Sequence, residues 1–386
     1  MTQRLIYNVN IPRFFVSHRL PLALAARDAG YDVHITTSDG DLEQIEVIKA
    51  TGLPFHPLPL AQHGTNPLTE LQTIRAMVTL YKTLQPDIIH HVSIKPVIYG
   101  GIAARIARVP AVVSAMSGLG RVFSDSTLKA TMLQQVVRPL FKIALGHPNT
   151  AMIFQNPDDQ KTFVQMGLIQ SANTTLIRGS GVDMAVFKPT PEADGKPIVL
   201  FAGRLMWKKG IGDFVAAARQ LHDQARFVVV GYAESSSPDA VPLTRIQTWA
   251  DEGVIEWWGK RDDMPAVFAQ SHIVCLPSSY GEGVPKVLIE AAASGRAIVT
   301  TDTAGCREIT HDGENGILFP ANDIEALIAA LQRLINQPEL RQQMGQHGRE
   351  IAQEHFSLDD VTAQTLALYE RLLTDLTQDV QIEPLS

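Results

Sequence analysis

The 386-residue chain predicts an α/β fold made of two doubly wound parallel sheets. Three observations carry that expectation. Short apolar runs alternate with helical stretches along nearly the whole length, the pattern of strand–helix–strand crossovers. The length suits two domains rather than one. The alternation breaks over residues 179–196, where Gly179, Gly181, Pro189, Pro191 and Gly195 mark a linker, and then resumes. The expected organisation is a first Rossmann-like domain over 1–188, a second over 189–356, and a helix and tail over 357–386 that pack back on the first. The two halves are alike in pattern, so a cleft between two facing domains is expected.

In the first half, residues 4–9, 31–37, 87–91 and 111–115 read as strands. Residues 17–30 read as a helix with Ser17 as N-cap and Gly30 just past its end. Residues 96–108 read as another helix. Ligands on parallel sheets bind at the carboxyl ends of strands, so loops 10–17, 38–41, 91–96 and 116–124 hold the candidates. The first carries Asn10, Arg13, Phe14 and Phe15 but no GxGxxG. In the third, His91 could orient an acceptor and Lys95 could meet an acceptor phosphate, although a satisfied strand-end histidine reads equally well. In the fourth, Ser117 and Gly118 open a glycine-containing turn that would let backbone approach a ligand. Residues 126–145 have helical apolar spacing, with Lys129, Arg138 and Lys142 as their charges. Such a helix can lie on an anionic membrane or simply present a core stripe, and Pro139 should kink it.

In the second half, strands are expected at 196–202, 226–231, 254–258, 272–277 and 297–301. Helices are expected at 211–222, 239–252, 264–270, 324–336 and 358–373. Residues 278–290, Ser-Ser-Tyr-Gly-Glu-Gly-Val-Pro-Lys-Val-Leu-Ile-Glu, form a tight loop between a strand and a helix, with Pro285 in the first helical turn. The helix N-terminus offers backbone N–H groups and positive dipole to a phosphate. Glu282 lies in the loop, and Glu290 about 1.5 turns into the helix. Carboxylates beside a phosphate site make sense if they bind hydroxyls, and a nucleotide-sugar has both groups. Strand 196–202 runs into Gly203-Arg204-Leu205, then Lys208-Lys209-Gly210. Arg204 and Lys209 would hold a diphosphate and support the charge that grows as it departs.

The net charge of −7 divides unevenly: residues 1–188 carry +5 and the remainder −12. A basic first half suits an anionic partner, and chance drift between domains gives the same asymmetry. No apolar run nears the roughly 18 residues that span a bilayer, and residues 1–12 lack a signal-peptide pattern. Two cysteines, Cys275 and Cys306, have no metal-ligand spacing and suit a reducing cytoplasm. No nucleic-acid partner, metal or cofactor is expected. Asp39-Gly40-Asp41 reads as turn and helix-cap chemistry. Asp158-Asp159, Asp262-Asp263 and Asp359-Asp360 read as helix starts. No Ser/His/Asp or Cys/His nucleophile arrangement stands out.

Gly203-Arg204-Leu205-x-x-x-Lys209-Gly210 together with Glu282-x7-Glu290 resembles the signature of the family 4 glycosyltransferases. Gly181-Val182-Asp183 and the 312–319 loop, Asp-Gly-Glu-Asn-Gly-Ile-Leu-Phe, also look like that family's, so the likeness covers nearly the whole chain. It implies the GT-B fold and a retaining hexosyltransferase, with the nucleoside-diphosphate sugar, UDP-linked, as a co-substrate. By the resemblance, Gly203, Arg204 and Lys209 hold the donor diphosphate. Glu282 meets the transferred sugar with backbone groups of Gly283 and Val284 beside Pro285, and Glu290 holds the ribose. Phe14-Phe15-Val16-Ser17-His18-Arg19-Leu20-Pro21 and Ser117-Gly118-Leu119-Gly120-Arg121-Val122-Phe123 resemble the branch that extends lipid-linked sugars in bacterial polysaccharide assembly. That implies a polyprenyl-diphosphate-linked sugar acceptor and a cytoplasmic protein peripheral on the inner face of the membrane. Arg13, His91, Lys95, Ser117 and Gly118 fall on the acceptor side. Many members place a histidine after the strand matching 111–115, where this chain has Met116-Ser117. Two other classes fit more weakly: a sugar-nucleotide epimerase of GT-B-like fold, and a non-catalytic nucleotide-sugar-binding subunit.

Overall fold

The computed structural model describes residues 2–60, 66–118, 128–233, 237–279 and 281–381. The chain divides into two units, Met1–Ser180 with Asp360–Ser386, and Gly181–Asp359.

The first unit holds strands β1 (Arg4–Val9), β2 (Asp32–Ser38), β3 (Phe55–Leu58), β4 (Ile88–Val92), β5 (Ala111–Ala115), β6 (Thr150–Phe154) and β7 (Thr174–Leu176). They form one parallel sheet in the order β3-β2-β1-β4-β5-β6-β7. The second unit holds β8 (Ile198–Ala202), β9 (Arg226–Val230), β10 (Glu256–Trp257), β11 (Ile273–Leu276), β12 (Ala297–Thr301) and β13 (Gly316–Phe319). These form a parallel sheet in the order β10-β9-β8-β11-β12-β13. In each sheet the winding reverses beside the first strand, between β1 and β4 and between β8 and β11. Crevices for ligands open at such reversals, outside the carboxyl ends of the strands.

Strands covered on both faces read as continuous apolar runs. Every residue of β4, β5, β8, β11 and β12 is buried. On β8, Val199, Leu200 and Phe201 are fully enclosed, and each such side chain contributes roughly 1.5–3 kcal/mol. Among the described residues no helix is long and apolar enough to cross a membrane.

Several elements depart from the sequence expectation. The helix expected over 17–30 is two helices, Pro12–His18 and Leu20–Asp28, broken at Arg19. Pro21 lacks the N–H that would have continued the first helix. Ser17 does not cap; its hydroxyl donates back to the Arg13 carbonyl at 2.7 Å. The stretch 96–108 opens with a π turn, Pro96–Gly100, before the helix Gly101–Ala107. Pro242 at the N-cap delays the helix expected from 239, which runs Leu243–Asp251. Pro285 is likewise an N-cap, outside the helix Lys286–Ala293. The last helix runs further than expected, Leu358–Gln381. Pro139 sits inside the helix Leu128–Leu145. Of that helix's apolar stripe, Phe141 and Ala144 are buried in the first unit's core, which leaves Ile143 as its exposed large apolar side chain among the described residues.

The loop-like stretch after Ser180 is held down by arginines. Arg349 donates to the Phe187 carbonyl at 2.6 Å, Arg296 to the Thr190 carbonyl at 2.9 Å, and Arg341 pairs with Glu192 at 2.6 Å. Val182 exchanges backbone hydrogen bonds with Phe356 and Leu358, so residues 181–188 group with the second unit.

The first unit is completed by its last helix. Tyr369 hydrogen-bonds Tyr7 at 2.9 Å and His90 at 2.6 Å, all three buried, with buried Arg19 facing Tyr7 and Tyr369. Burial, then the charge of Arg19, holds His90 well below the ordinary histidine range.

Candidate active site

The second unit gathers its candidates at the reversal between β8 and β11. After β8 the chain passes Gly203 and half-buried Arg204, anchors Leu205 in the core, and makes a single turn, Trp207–Lys209. Gly210 ends that turn at φ +79°, a conformation that favours glycine, and a Cβ there would strike the Pro277 carbonyl. The loop after β8 therefore closes onto the end of β11. The Ser279 N–H donates to the Lys208 carbonyl at 3.0 Å and locks the approach.

That closure sets Lys209 Nζ 2.5 Å from Glu282 Oε2, with the two side chains only 12% and 17% exposed. The other carboxylate oxygen, Oε1, accepts from the Ser278 hydroxyl at 2.9 Å. Ser278 is itself held by Thr301, whose hydroxyl donates to the Ser278 carbonyl at 2.5 Å. From the opposite side Gly305 packs so tightly on the loop that a Cβ would collide with the Gly283 carbonyl. Gly283, Val284 and Pro285 are buried at the start of the helix Lys286–Ala293. Tyr280 lies outside the described residues.

Glu290, on that helix, is buried and pairs with Lys286 at 2.9 Å. Burial pushes its carboxyl above the ordinary range, against the pull of Lys286. Both carboxylates that the sequence leaves for hydroxyls are thus already lysine-paired. Each keeps further acceptor lone pairs, and a carboxylate can hold a cation and a hydroxyl together.

The first-unit candidates do not gather in the same way. Arg13 pairs with Asp41 at 3.3 Å. Asp41 takes the N-cap position of the helix Leu42–Ala50 without a side-chain cap bond. His91 is fully buried, 3.2 Å from the Tyr81 hydroxyl and packed on Gly100, where a Cβ would strike its ring. Burial, then His147, lowers it to about 3. The ring is therefore interior, packed against the π turn that follows β4, which suits the strand-end reading of His91 better than a direct acceptor contact. Lys95 pairs with Glu70 at 2.6 Å. Ser117 is half-buried and Gly118 buried after β5; the rest of their loop, 119–127, lies outside the described residues. Sequence reasoning missed Glu70 and the bond from Ser278. Ser278 lay within the stretch singled out, four residues before Glu282, whereas Glu70 belongs to no motif.

The family described as Glycosyl transferases group 1 matches residues 184–351, and that described as Glycosyl transferase 4-like matches residues 4–156. The N,N'-diacetylbacillosaminyl-diphospho-undecaprenol alpha-1,3-N-acetylgalactosaminyltransferase of Campylobacter jejuni is 26% identical over 373 residues, 93% of this chain and 96% of its own. The UDP-Gal:alpha-D-GlcNAc-diphosphoundecaprenol alpha-1,3-galactosyltransferase of Escherichia coli is 26% identical over 283 residues, 68% of this chain and 71% of its own. Among solved structures, Anabaena HepE in complex with UDP superposes with a TM-score of 0.75 at 18% identity, covering 96% of this chain and 100% of its own. Sucrose-phosphate synthase from Thermosynechococcus elongatus gives 0.78 at 20% identity, covering 97% and 100%.

Proposed function

As the chain belongs to the family 4-like glycosyltransferases of the GT-B fold, we propose that it moves a hexose or N-acetylhexosamine from a UDP-linked donor to a polyprenyl-diphosphate-linked sugar, with retention at the anomeric carbon. The observation that carries the donor side is the Lys209–Glu282 pair at the β8/β11 reversal. A diphosphate arriving at the N-terminus of the helix Lys286–Ala293 competes with Glu282 for Lys209. Lys209 and Arg204, rather than a metal, then counter the charge of the departing phosphate. Glu282, oriented by Ser278, accepts from a hydroxyl of the transferred sugar, with the backbone of Gly283 and Val284 beside it. Glu290 accepts from the ribose.

The acceptor class draws on the two relatives whose names specify an undecaprenyl-diphosphate-linked sugar. Such an acceptor places the protein at the inner face of the cytoplasmic membrane, and the basic character of residues 1–188 suits an anionic surface.

The test is a panel of UDP-sugars against short-chain polyprenyl-diphosphate-linked monosaccharides, with the anomeric configuration of the product read by NMR coupling. Transfer with retention supports the proposal. An inverted product, or epimerised donor without transfer, overturns it. Flotation with anionic liposomes tests the membrane: no binding, with full activity on a soluble acceptor, removes that part.

A further inference from the structure

We propose that Glu70 and Lys95 form a recognition site for the acceptor's terminal sugar, reading its hydroxyl groups rather than its diphosphate. This rests on the glycosyl-transfer reading above and names the part of the acceptor held by the first unit.

Four observations meet at the carboxyl ends of β1 and β4, where the first sheet reverses. Ser93, directly after β4, has φ +81°, a strained conformation for a residue with a side chain, and such strain concentrates at functional sites. The π turn Pro96–Gly100 follows at once, a second irregularity found often beside sites. Between them Lys95 reaches Glu70 at 2.6 Å, with side chains 17% and 11% exposed. Last, Glu70 Oε2 is buried and meets no hydrogen-bond partner among the described residues, and neither does Asn10 Oδ1 just after β1.

The chemistry of those atoms selects the ligand. Both orphaned atoms are acceptors, and a buried acceptor without a donor is costly. A ligand that relieves the cost must bring O–H or N–H groups. A diphosphate brings only acceptor oxygens and negative charge, and Glu70 both neutralises Lys95 and repels an anion. A sugar brings hydroxyls to Glu70 and Asn10 and an acceptor oxygen to Lys95. Tyr99 faces the same carboxylate and donates to it: burial first, then Glu70's charge and that hydrogen bond, pushes its phenol up to about 12, so it stays protonated, while Oε2 of Glu70 keeps room for a ligand hydroxyl. Glu70 is set by the first turn of the helix Pro67–Leu84, capped by Asn66 and tied by Thr73 to the Pro59 carbonyl at 2.6 Å.

The two ligand chemistries predict opposite signs for Glu70→Gln. On a sugar site it weakens the acceptor contact and raises the acceptor KM about tenfold, with the donor KM within twofold. On a phosphate site it removes a repulsive charge and lowers the acceptor KM, which would overturn the proposal. A set of monodeoxy acceptors supplies a second measurement that needs no folded variant. Wild-type protein should lose about tenfold in kcat/KM on at least one of them; an equal response to every deoxy analogue is contrary to the proposal. Where Glu70→Gln folds, that same analogue should cost it no further loss. If wild-type protein transfers to no polyprenyl-diphosphate sugar, the acceptor class above fails. The deoxy comparison then proceeds on whichever glycoside it does use, so the two failures are separable.

Discussion

Lys209 Nζ and Glu282 Oε2 lie 2.5 Å apart although 73 residues separate them, because β11 inserts beside β8 and Gly210 closes the first loop onto Pro277. The pair places a cation and an acceptor in one small volume, which suits a ligand with a diphosphate on one side and hydroxyls on the other.

Lys209→Ala and Arg204→Ala should each lower kcat by roughly 10²–10³-fold, the loss typical of removing one donor that stabilises developing charge. The thermal unfolding midpoint should fall further for Lys209→Ala, which leaves the nearly buried Glu282 carboxylate without its cation, than for Arg204→Ala, whose side chain is half-buried. Wild-type turnover in both variants would sink the assignment.

Glu290→Gln should separate stability from binding. The folded carboxyl is raised by burial, so the ionised form is disfavoured in the fold. A carboxyl of raised pKa contributes most stability below its unfolded value and loses it as pH rises through the folded one. At neutral pH the glutamine variant should therefore match or exceed wild type in urea midpoint, with the advantage vanishing under acid. Its affinity for UDP by calorimetry should fall about tenfold. A variant that binds UDP as tightly as wild type is evidence against the ribose contact.

Gly305→Ala should disable the donor loop without touching a polar group. The added methyl collides with the Gly283 backbone, which cannot yield as a flexible side chain would. Overpacking of this kind costs roughly 1–3 kcal/mol. The expected signature is a rise in donor KM together with a fall in kcat. Unchanged kinetics would show that the loop position is not needed.

The first unit should weaken as the solution is acidified. Folded His90 lies well below the ordinary histidine range and His91 near 3, while the unfolded chain takes up protons near 6.5. Between those limits the unfolded state binds more protons, so stability rises with pH and is lost as pH falls. Urea midpoints at pH 7.5, 6 and 5 should decline in that order, and His91→Gln should flatten the profile. A midpoint independent of pH would contradict the buried neutral pair.

Much of this architecture was legible in the residues. The bounds of β1, β5 and β12 follow from short runs rich in apolar and β-branched residues between turn residues. Neither β8 nor β11 states in its own sequence that the two will be neighbours, but strand–helix alternation makes the sheet parallel and puts both loops at one edge. That suffices to expect Lys209 near Glu282. Contacts set by fine packing were not legible. Enclosure of His91 depends on Gly100 lying in a π turn. The break at Arg19 depends on Pro21 withholding one N–H. Glu70 reaches Lys95 from a helix that no pattern singled out.

The last helix has a consequence for the order in which the protein is made. Tyr7 and His90 wait for Tyr369, which leaves the ribosome 362 residues after Tyr7. The second unit is one uninterrupted stretch, Gly181–Asp359, and has emerged in full before that partner exists. Synthesis therefore passes through a stage in which the later-encoded unit can be finished while the earlier one still exposes apolar surface and unmet hydroxyls. A chain cut short before residue 358 would be arrested there, a species prone to aggregate.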